Sequence, residues 1–254
     1  GGLQAAVQKR GGMSAVRCLA ARQRPEVSIY VEIGDKSDAS EWEYEVAFNE
    51  KGKRLQIQRE RVAHKGKVII SRPDEEDKID PERLTQTFLE QVNVNRDFRP
   101  IAEFFSSATY IHIVPQLLRE PERYIGRRND PYGGDFLEQI ARVPERTRNR
   151  RFDRILEALR VAVPQLKELH LERDHVDGTL HLKGRYEHWR PRGAWQDERQ
   201  LSDGTLRLLG LLWALLDEGG PLLLEEPELS LHPDVVRQLP SLMYRSQRRS
   251  GRQV

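Results

Sequence analysis

The chain has 254 residues, of which 37% are hydrophobic and 32% are charged, and its formal net charge is only +2 at pH 7. A chain of this length buries roughly 70–75% of the surface that its unfolded form exposes, which predicts one large domain or a domain with a sub-domain. The sequence contains no apolar run near the roughly 20 residues of a membrane span, and it has no signal-peptide pattern. Its single cysteine, Cys18, cannot form an internal disulfide. These features favour a cytoplasmic protein without membrane contact.

The first predicted regions are a helix and loop over 1–25 and an antiparallel β sub-domain over 26–71. Apolar and polar residues alternate along 26–71, which is typical of half-buried strands. The segment Asn49-Glu50-Lys51-Gly52 has the composition of a turn. We therefore expect a β-meander with one solvated face.

A helical sub-domain is predicted over 72–165. It begins with an acidic loop from Pro73 to Pro81, and it contains a short strand near 110–114 and a loop at 131–134. Helices are predicted at 82–94, 98–107, 135–143 and 147–162, the last of which Pro164 ends.

The remaining residues, 166–254, form the third predicted region. Its predicted elements are a hairpin around Asp177-Gly178 in which Leu169 and Leu171 face Leu180 and Leu182, a connection over 190–196, a helix over 204–217, a strand over 221–225, a helical stretch over 234–247 that Pro240 splits, and the start of a strand at Gln253-Val254.

Two adjacent carboxylates follow the strand at 221–225. The apolar run Leu222-Leu223-Leu224 is too short for a helix and suits a strand buried on both faces. Ligands of α/β proteins collect at the carboxyl ends of strands, and Mg²⁺ prefers carboxylate oxygens. In a nucleotide hydrolase the first acid, Glu225, would reach the metal, and the second, Glu226, would orient the attacking water.

A polar helix start precedes this strand. In Leu201-Ser202-Asp203-Gly204-Thr205-Leu206-Arg207, either Ser202 or Asp203 is a natural N-cap. The free N–H groups and the positive dipole end of such a helix suit a phosphate.

Together, the two segments resemble the signature motif, the Walker B strand and the D-loop of ABC-type ATPase heads of the RecF-, SMC- and OLD-like (AAA ATP-binding) group. The resemblance implies an α/β fold: an incomplete P-loop NTPase head with a mixed sheet, an antiparallel β sub-sheet and a helical insert. It implies ATP and Mg²⁺ as cofactors, Glu225 as the metal-side carboxylate and Glu226 as the catalytic glutamate.

Further site residues follow from the same resemblance. Ser202, Asp203 and Gly204 take signature positions that contact the ATP of a partner subunit, although Asp203 stands where transporters have glycine. Ser230 and His232 lie in the D-loop, where aspartate is common in place of His232. Gln116 is a candidate for the Q-loop glutamine.

One motif of such heads is missing. No G-x-x-x-x-G-K-[ST] occurs in the 254 residues, so the cradle and the lysine for the β- and γ-phosphates are absent. We expect a fragment whose P-loop lies upstream, and we expect the chain alone to be inactive. The alternatives are a non-catalytic nucleic-acid-binding or scaffold pseudo-ATPase, and a metal-dependent nuclease that uses Glu225, Glu226 and Glu228.

The resemblance also suggests partners. It implies a homodimer or a head-to-head partner subunit, acting in DNA maintenance, repair or phage defence. DNA is a further candidate partner, because residues 141–160 hold seven arginines against three acids, and residues 235–254 hold five arginines and no acid.

Overall fold

The computed structural model describes residues 2–21, 25–34, 40–52, 54–120, 130–189, 194–217 and 219–254. The chain divides into two compact units, residues 1–106 and residues 107–254. Both units combine helices with antiparallel strands, in agreement with the predicted α/β fold that includes an antiparallel sub-sheet. None of the helices in the described part of the chain combines the length and the apolar composition needed to span a bilayer.

The first unit is built on a four-stranded antiparallel sheet with the strand order β1-β2-β3-β4. Its elements are α1 (Leu3–Lys9), α2 (Met13–Val16), β1 (Val27–Ile33), β2 (Trp42–Lys51), β3 (Arg54–His64), β4 (Lys67–Arg72), α3 (Glu75–Ile79), three 3₁₀ turns (Pro81–Thr85, Phe88–Glu90 and Asn95–Phe98) and α4 (Arg99–Ser107). All four strands lie in or at the edge of residues 26–71, where the alternation of apolar and polar residues predicts a β-meander. Val46, Phe48, Ile57 and Val62 lie in the core of the unit.

The segment between this sheet and α4 differs from the prediction. The predicted acidic loop contains α3, because the Asp74 and Asp77 side chains each accept a hydrogen bond from the other residue's backbone N–H. The predicted helix at 82–94 is wrong: two 3₁₀ turns occupy most of it. Thr87 interrupts the helix, because its N–H and its hydroxyl both donate to the Glu90 carboxylate in a new capping box.

A cluster of buried charged side chains joins β3, β4 and α3 in the first unit. The Arg72 side chain is fully buried and pairs with Glu60 at 3.0 Å and with Asp77 at 2.8 Å, both of which are also fully buried. Its guanidinium carbon lies 3.7 Å from the centre of the Phe88 ring, and the Phe88 N–H donates to Glu60. Burial raises the pKa of Glu60, although Arg72 opposes the shift. Burial is also the largest single influence on Asp77, but the hydrogen bonds from Arg72 and from the Asp74 N–H, together with the charges of Arg72 and Arg83, outweigh it and hold the pKa of Asp77 below its usual range.

The second unit has a central helix and two small sheets. Its elements are β5 (Thr109–Ile111), α5 (Pro115–Leu118), α6 (Phe136–Arg142), α7 (Glu145–Leu159), β6 (Leu166–Arg173), β7 (Leu180–Tyr186), β8 (Ala194–Gln196), α8 (Asp203–Leu216), β9 (Leu222–Leu224), α9 (Pro233–Val236) and α10 (Leu239–Ser250). Every residue of α8 from Thr205 to Leu215 is buried, and the helix packs against α5, α7 and α10. Its almost wholly apolar sequence follows from this position.

The two sheets of this unit are a parallel pair, β5-β9, and an antiparallel sheet, β6-β7-β8. Thr109 pairs with Leu222 and Ile111 with Leu224, so both parallel strands end at the same edge. In the antiparallel sheet Leu171 pairs with Leu182, as predicted, but the loop is longer than Asp177-Gly178, and Leu169 pairs with Gly184. Part of the predicted connection at 190–196 forms β8, and residues 190–193 lie outside the described residues.

Two predictions near the end of the chain concern β9 and Pro240. Pro240 splits the last helical stretch, as predicted, since α9 ends at Val236 and α10 begins at Leu239. The prediction that β9 is buried on both faces is wrong, because Leu222 is 2% exposed whereas Leu223 is 56% exposed. The Leu223 side of β9 opens on a cleft that is lined by α10 side chains such as Tyr244. The predicted terminal strand is not formed, although the Gln253 carbonyl accepts the Leu222 N–H.

Candidate functional site

The carboxyl edge of the parallel pair carries the two adjacent acids. The Glu225 N–H donates to the Ile111 carbonyl at 3.1 Å, which extends the pairing of β5 with β9 by one residue. The Tyr110 hydroxyl donates to the Glu225 carboxylate, and the His112 ring nitrogen Nδ1 lies 3.3 Å from the Glu225 carbonyl. The backbone of Glu225 is therefore fixed, and its side chain remains exposed at the sheet edge.

Glu226 begins a strained turn. Its φ is +46°, in the left-handed region that costs a non-glycine residue roughly 1–2 kcal/mol, and it precedes Pro227, which normally favours an extended residue. Ser230, four residues later, also has a positive φ of 63°. The Leu229 N–H donates to the Glu226 carbonyl and closes the turn. Strain at this place fits a functional role for the turn, which leaves both acids exposed rather than buried.

The start of α8 is a capped and charge-neutralised helix end. Ser202 is the N-cap, and its hydroxyl accepts the Thr205 N–H at 3.2 Å. Arg119 pairs with Asp203 at 2.6 Å, and the Gln116 amide donates to the same carboxylate at 3.4 Å. The negative charge that Asp203 brings to this helix end is therefore balanced by Arg119.

The start of α8 and the turn after β9 are in direct contact. A Cβ atom placed on Gly204 would lie 2.6 Å from the carbonyl oxygen of Ser230. Backbone atoms of the turn occupy the space that any larger residue at 204 would need. The structure thus brings together the two segments that the sequence singles out.

This contact predicts an unusual response to alanine. Gly→Ala in a helix normally stabilises a protein by roughly 1 kcal/mol. For Gly204→Ala we expect the opposite sign, a loss of about 1–3 kcal/mol, because the Ser230 backbone must move.

Gly210, in the same helix, supplies the matched control for this substitution. The three atoms nearest to the new Cβ of Gly210→Ala all belong to the Ile113 side chain, the nearest being its terminal Cδ1 at 2.9 Å, and this side-chain end can shift more easily than backbone. Thermal unfolding of both variants measures the difference, and a Gly204→Ala variant as stable as the Gly210→Ala variant would contradict the contact.

His232 has a local role in the structure. Its ring nitrogen Nδ1 accepts the Asp234 N–H at 3.3 Å and so caps α9. Of the other predicted site residues, Ser202, Asp203 and Gly204 lie at the start of α8, with Ser230 against Gly204. Gln116 lies in α5 and reaches Asp203, and Glu225 and Glu226 follow β9.

Sequence reasoning missed three residues that contact this site. Tyr110 and His112 contact Glu225 from β5 and the residue after it, and Arg119 contacts Asp203 from the end of α5. The sequence offered one indication of these residues, namely that all three lie near the predicted Q-loop glutamine, Gln116. Which residues they contact depends on which strands and helices become neighbours in the fold.

The donor set fits a magnesium ion that is shared with a substrate. Among the described residues no group of three or more His, Cys, Asp or Glu side chains could enclose a metal. Mg²⁺ in nucleotide sites is usually held by one or two carboxylates together with phosphate and water oxygens, so an exposed Glu225 at the carboxyl edge of the sheet suits it.

Comparison with known proteins gives a matching family and several solved chains. The model of a family described as "AAA domain, putative AbiEii toxin, Type IV TA system" matches residues 2–254. No curated protein matches the chain. A solved chain from "Crystal structure of the SmcHead bound to the C-winged helix domain of ScpA" is 15% identical with a TM-score of 0.36, and the match covers 90% of this chain and 64% of that one. The chain thus spans slightly less than two thirds of the length of that solved chain.

Proposed function

The chain belongs to the family of AAA domains described as putative AbiEii toxin of type IV toxin–antitoxin systems, and from this premise we propose that it supplies the signature and Walker B parts of an ATP-hydrolysing head. The observation that supports this most is the contact of Gly204, at the start of α8, with the Ser230 carbonyl in the turn that follows Glu225 and Glu226. The start of α8 and the turn after the two acids are therefore parts of one continuous surface, which supports a joint role of the two segments in nucleotide binding.

Glu225 and Glu226 act on the metal side of the proposed site. When bound, Mg²⁺ would neutralise charge on the phosphates of ATP. Glu225 would hold the ion through its carboxylate at the sheet edge. Glu226 accepts a hydrogen bond from the attacking water and takes up its proton as the water reaches the γ-phosphate.

The start of α8 acts on the phosphate side. The backbone N–H of Gly204 and the Ser202 hydroxyl donate to the γ-phosphate of the ATP held by a second head. Arg119 keeps Asp203 paired, so that its carboxylate does not repel the phosphate. ATP would thereby bring two heads together, and hydrolysis would release them; we place this cycle in DNA maintenance, repair or defence.

The 254 residues by themselves are expected not to hydrolyse ATP. They lack the P-loop, whose backbone and lysine hold the β- and γ-phosphates. Phosphate release from purified chain with Mg-ATP should equal the buffer blank. Turnover that Glu226→Gln abolishes would contradict this expectation.

The two alternative functions, a pseudo-ATPase and a metal-dependent nuclease, can be tested with purified protein. Retained Mg-ATP binding by the full-length gene product, measured by equilibrium dialysis with labelled ATP, would exclude a pseudo-ATPase that has lost its nucleotide. A nuclease would cleave DNA with Mn²⁺ in a buffer without ATP. It would also need acidic ligands beyond Glu225, Glu226 and Glu228, and the described residues offer no such cluster.

A further inference from the structure

Arg207 is a buried cation, two of whose side-chain nitrogens have no hydrogen-bond partner in the described part of the chain. It lies one turn into α8 and is 5% exposed. Its Nε and Nη1 atoms are buried and have no hydrogen-bond partner among the described residues. A buried charge without a counter-charge is costly, so a guanidinium in this position requires an explanation.

The surroundings of Arg207 contain one candidate counter-charge. Its side chain lines a small cavity with room for about one water molecule, whose other walls are Ile111, Ile113, Leu211, Leu224, Pro227 and Glu225. Five of these six residues are apolar. Glu225 is therefore the one acidic residue on the cavity wall.

The backbone of Glu225 is anchored beside this cavity. It is held by the Ile111 carbonyl and lies beside the His112 ring. In the structure its carboxylate is turned to the surface, where Tyr110 donates to it. The side chain thus has a hydroxyl partner on the outer side and a cation on the inner side.

We propose that Arg207 is a positioning residue for Glu225, whose carboxylate turns between the Tyr110 hydroxyl at the surface and the Arg207 guanidinium in the cavity. The outward position presents the carboxylate to a divalent cation, and the inward position withdraws it. Arg207 therefore competes with the cation for Glu225 and raises the Mg²⁺ concentration that the site needs.

A thermal double-mutant cycle tests the pairing without any enzyme activity. In the 254-residue chain, Glu225→Gln leaves Arg207 without its counter-charge, and we expect Tm to fall by about 3–6 °C. Arg207→Met places an apolar side chain among apolar neighbours and should keep or raise Tm. In the Arg207→Met background the Glu225→Gln change should then cost about 1 °C or less.

Two control variants define the specificity of the cycle. Glu226→Gln removes the adjacent carboxylate, which does not line the cavity, and should leave Tm unchanged. Arg148→Met removes an α7 arginine whose Nε atom is also unpartnered, and it should leave the cost of Glu225→Gln intact. Equal costs of Glu225→Gln with and without Arg207 would overturn the proposal and assign a bound water to the guanidinium.

The link to the metal rests on the proposed function and needs a second measurement. In the full-length product, Arg207→Met should lower the Mg²⁺ concentration for half-maximal ATP turnover about five- to tenfold, whereas an arginine that only packs would leave it unchanged. If the product has no ATP turnover, the proposed function fails and the thermal cycle still decides the pairing. If turnover is present but the Mg²⁺ dependence does not move, the positioning role fails.

Discussion

Glu226→Gln in the full-length product is expected to lower ATP turnover about 10²–10⁴-fold while Mg-ATP still binds. The amide keeps the size of the side chain and can still accept a hydrogen bond, but it cannot take a proton from water. Glutamine tolerates a φ of +46° no better than glutamate does, so the strained turn and the stability of the fold should stay as they are. Phosphate release measures turnover, and equilibrium dialysis with labelled ATP measures binding.

Glu228→Gln is the matched control for this prediction. Glu228 is a third exposed carboxylate in the same turn, and its backbone carbonyl accepts the Leu231 N–H, so the substitution changes the local charge equally. Its turnover should remain within about twofold of the unaltered protein. Unchanged turnover in Glu226→Gln would exclude the assigned role, and an equal loss in both variants would indicate a general charge effect rather than a catalytic group.

The sequence predicts those parts of the fold that local patterns determine. Alternation along 26–71 predicts the meander of the first unit, because it reports which face of each strand is buried. The apolar run after Ser202 predicts α8, because a helix that is apolar on all sides must be buried on all sides. The helix predicted at 82–94 fails because the Thr87–Glu90 capping box competes with helix continuation. The exposure of Leu223 was not predictable either, since it depends on which elements cover β9.

The same distinction applies to the site. Ser202 as N-cap and the two acids after β9 follow from local sequence, and their roles remain proposals. The pairing of Arg119 with Asp203 and of Tyr110 with Glu225 joins residues 84 and 115 positions apart. No periodicity or motif carries information about such pairs. The packing of α5 against α8 creates the first pair, and the parallel pairing of β5 with β9 creates the second.

Arg72→Met is expected to destabilise the first unit by about 3–5 kcal/mol at pH 7. The substitution leaves Glu60 and Asp77 buried without their common counter-charge, and it removes the cation that lies over the Phe88 ring. Urea unfolding followed by circular dichroism measures the loss. Arg54→Met is the control, because Arg54 and Glu82 form an exposed pair whose removal should change little.

The pH dependence of this loss separates charge from packing. Arg72 holds the pKa of Asp77 below its usual range, so the stability from this pair is present above the unfolded pKa of about 4 and disappears as the pH falls through the lower folded value. Without Arg72, burial is opposed only by the remaining hydrogen bonds, from the Phe88 N–H and Tyr44 to Glu60 and from the Asp74 N–H to Asp77, and by the charge of Arg83. The pKa values of Glu60 and Asp77 should therefore both rise. The two carboxyls then take up protons on mild acidification, so the deficit of Arg72→Met should shrink between pH 7 and pH 4.5. A deficit that stays constant over this range would mean that lost packing around Phe88, rather than two uncompensated carboxylates, accounts for the effect.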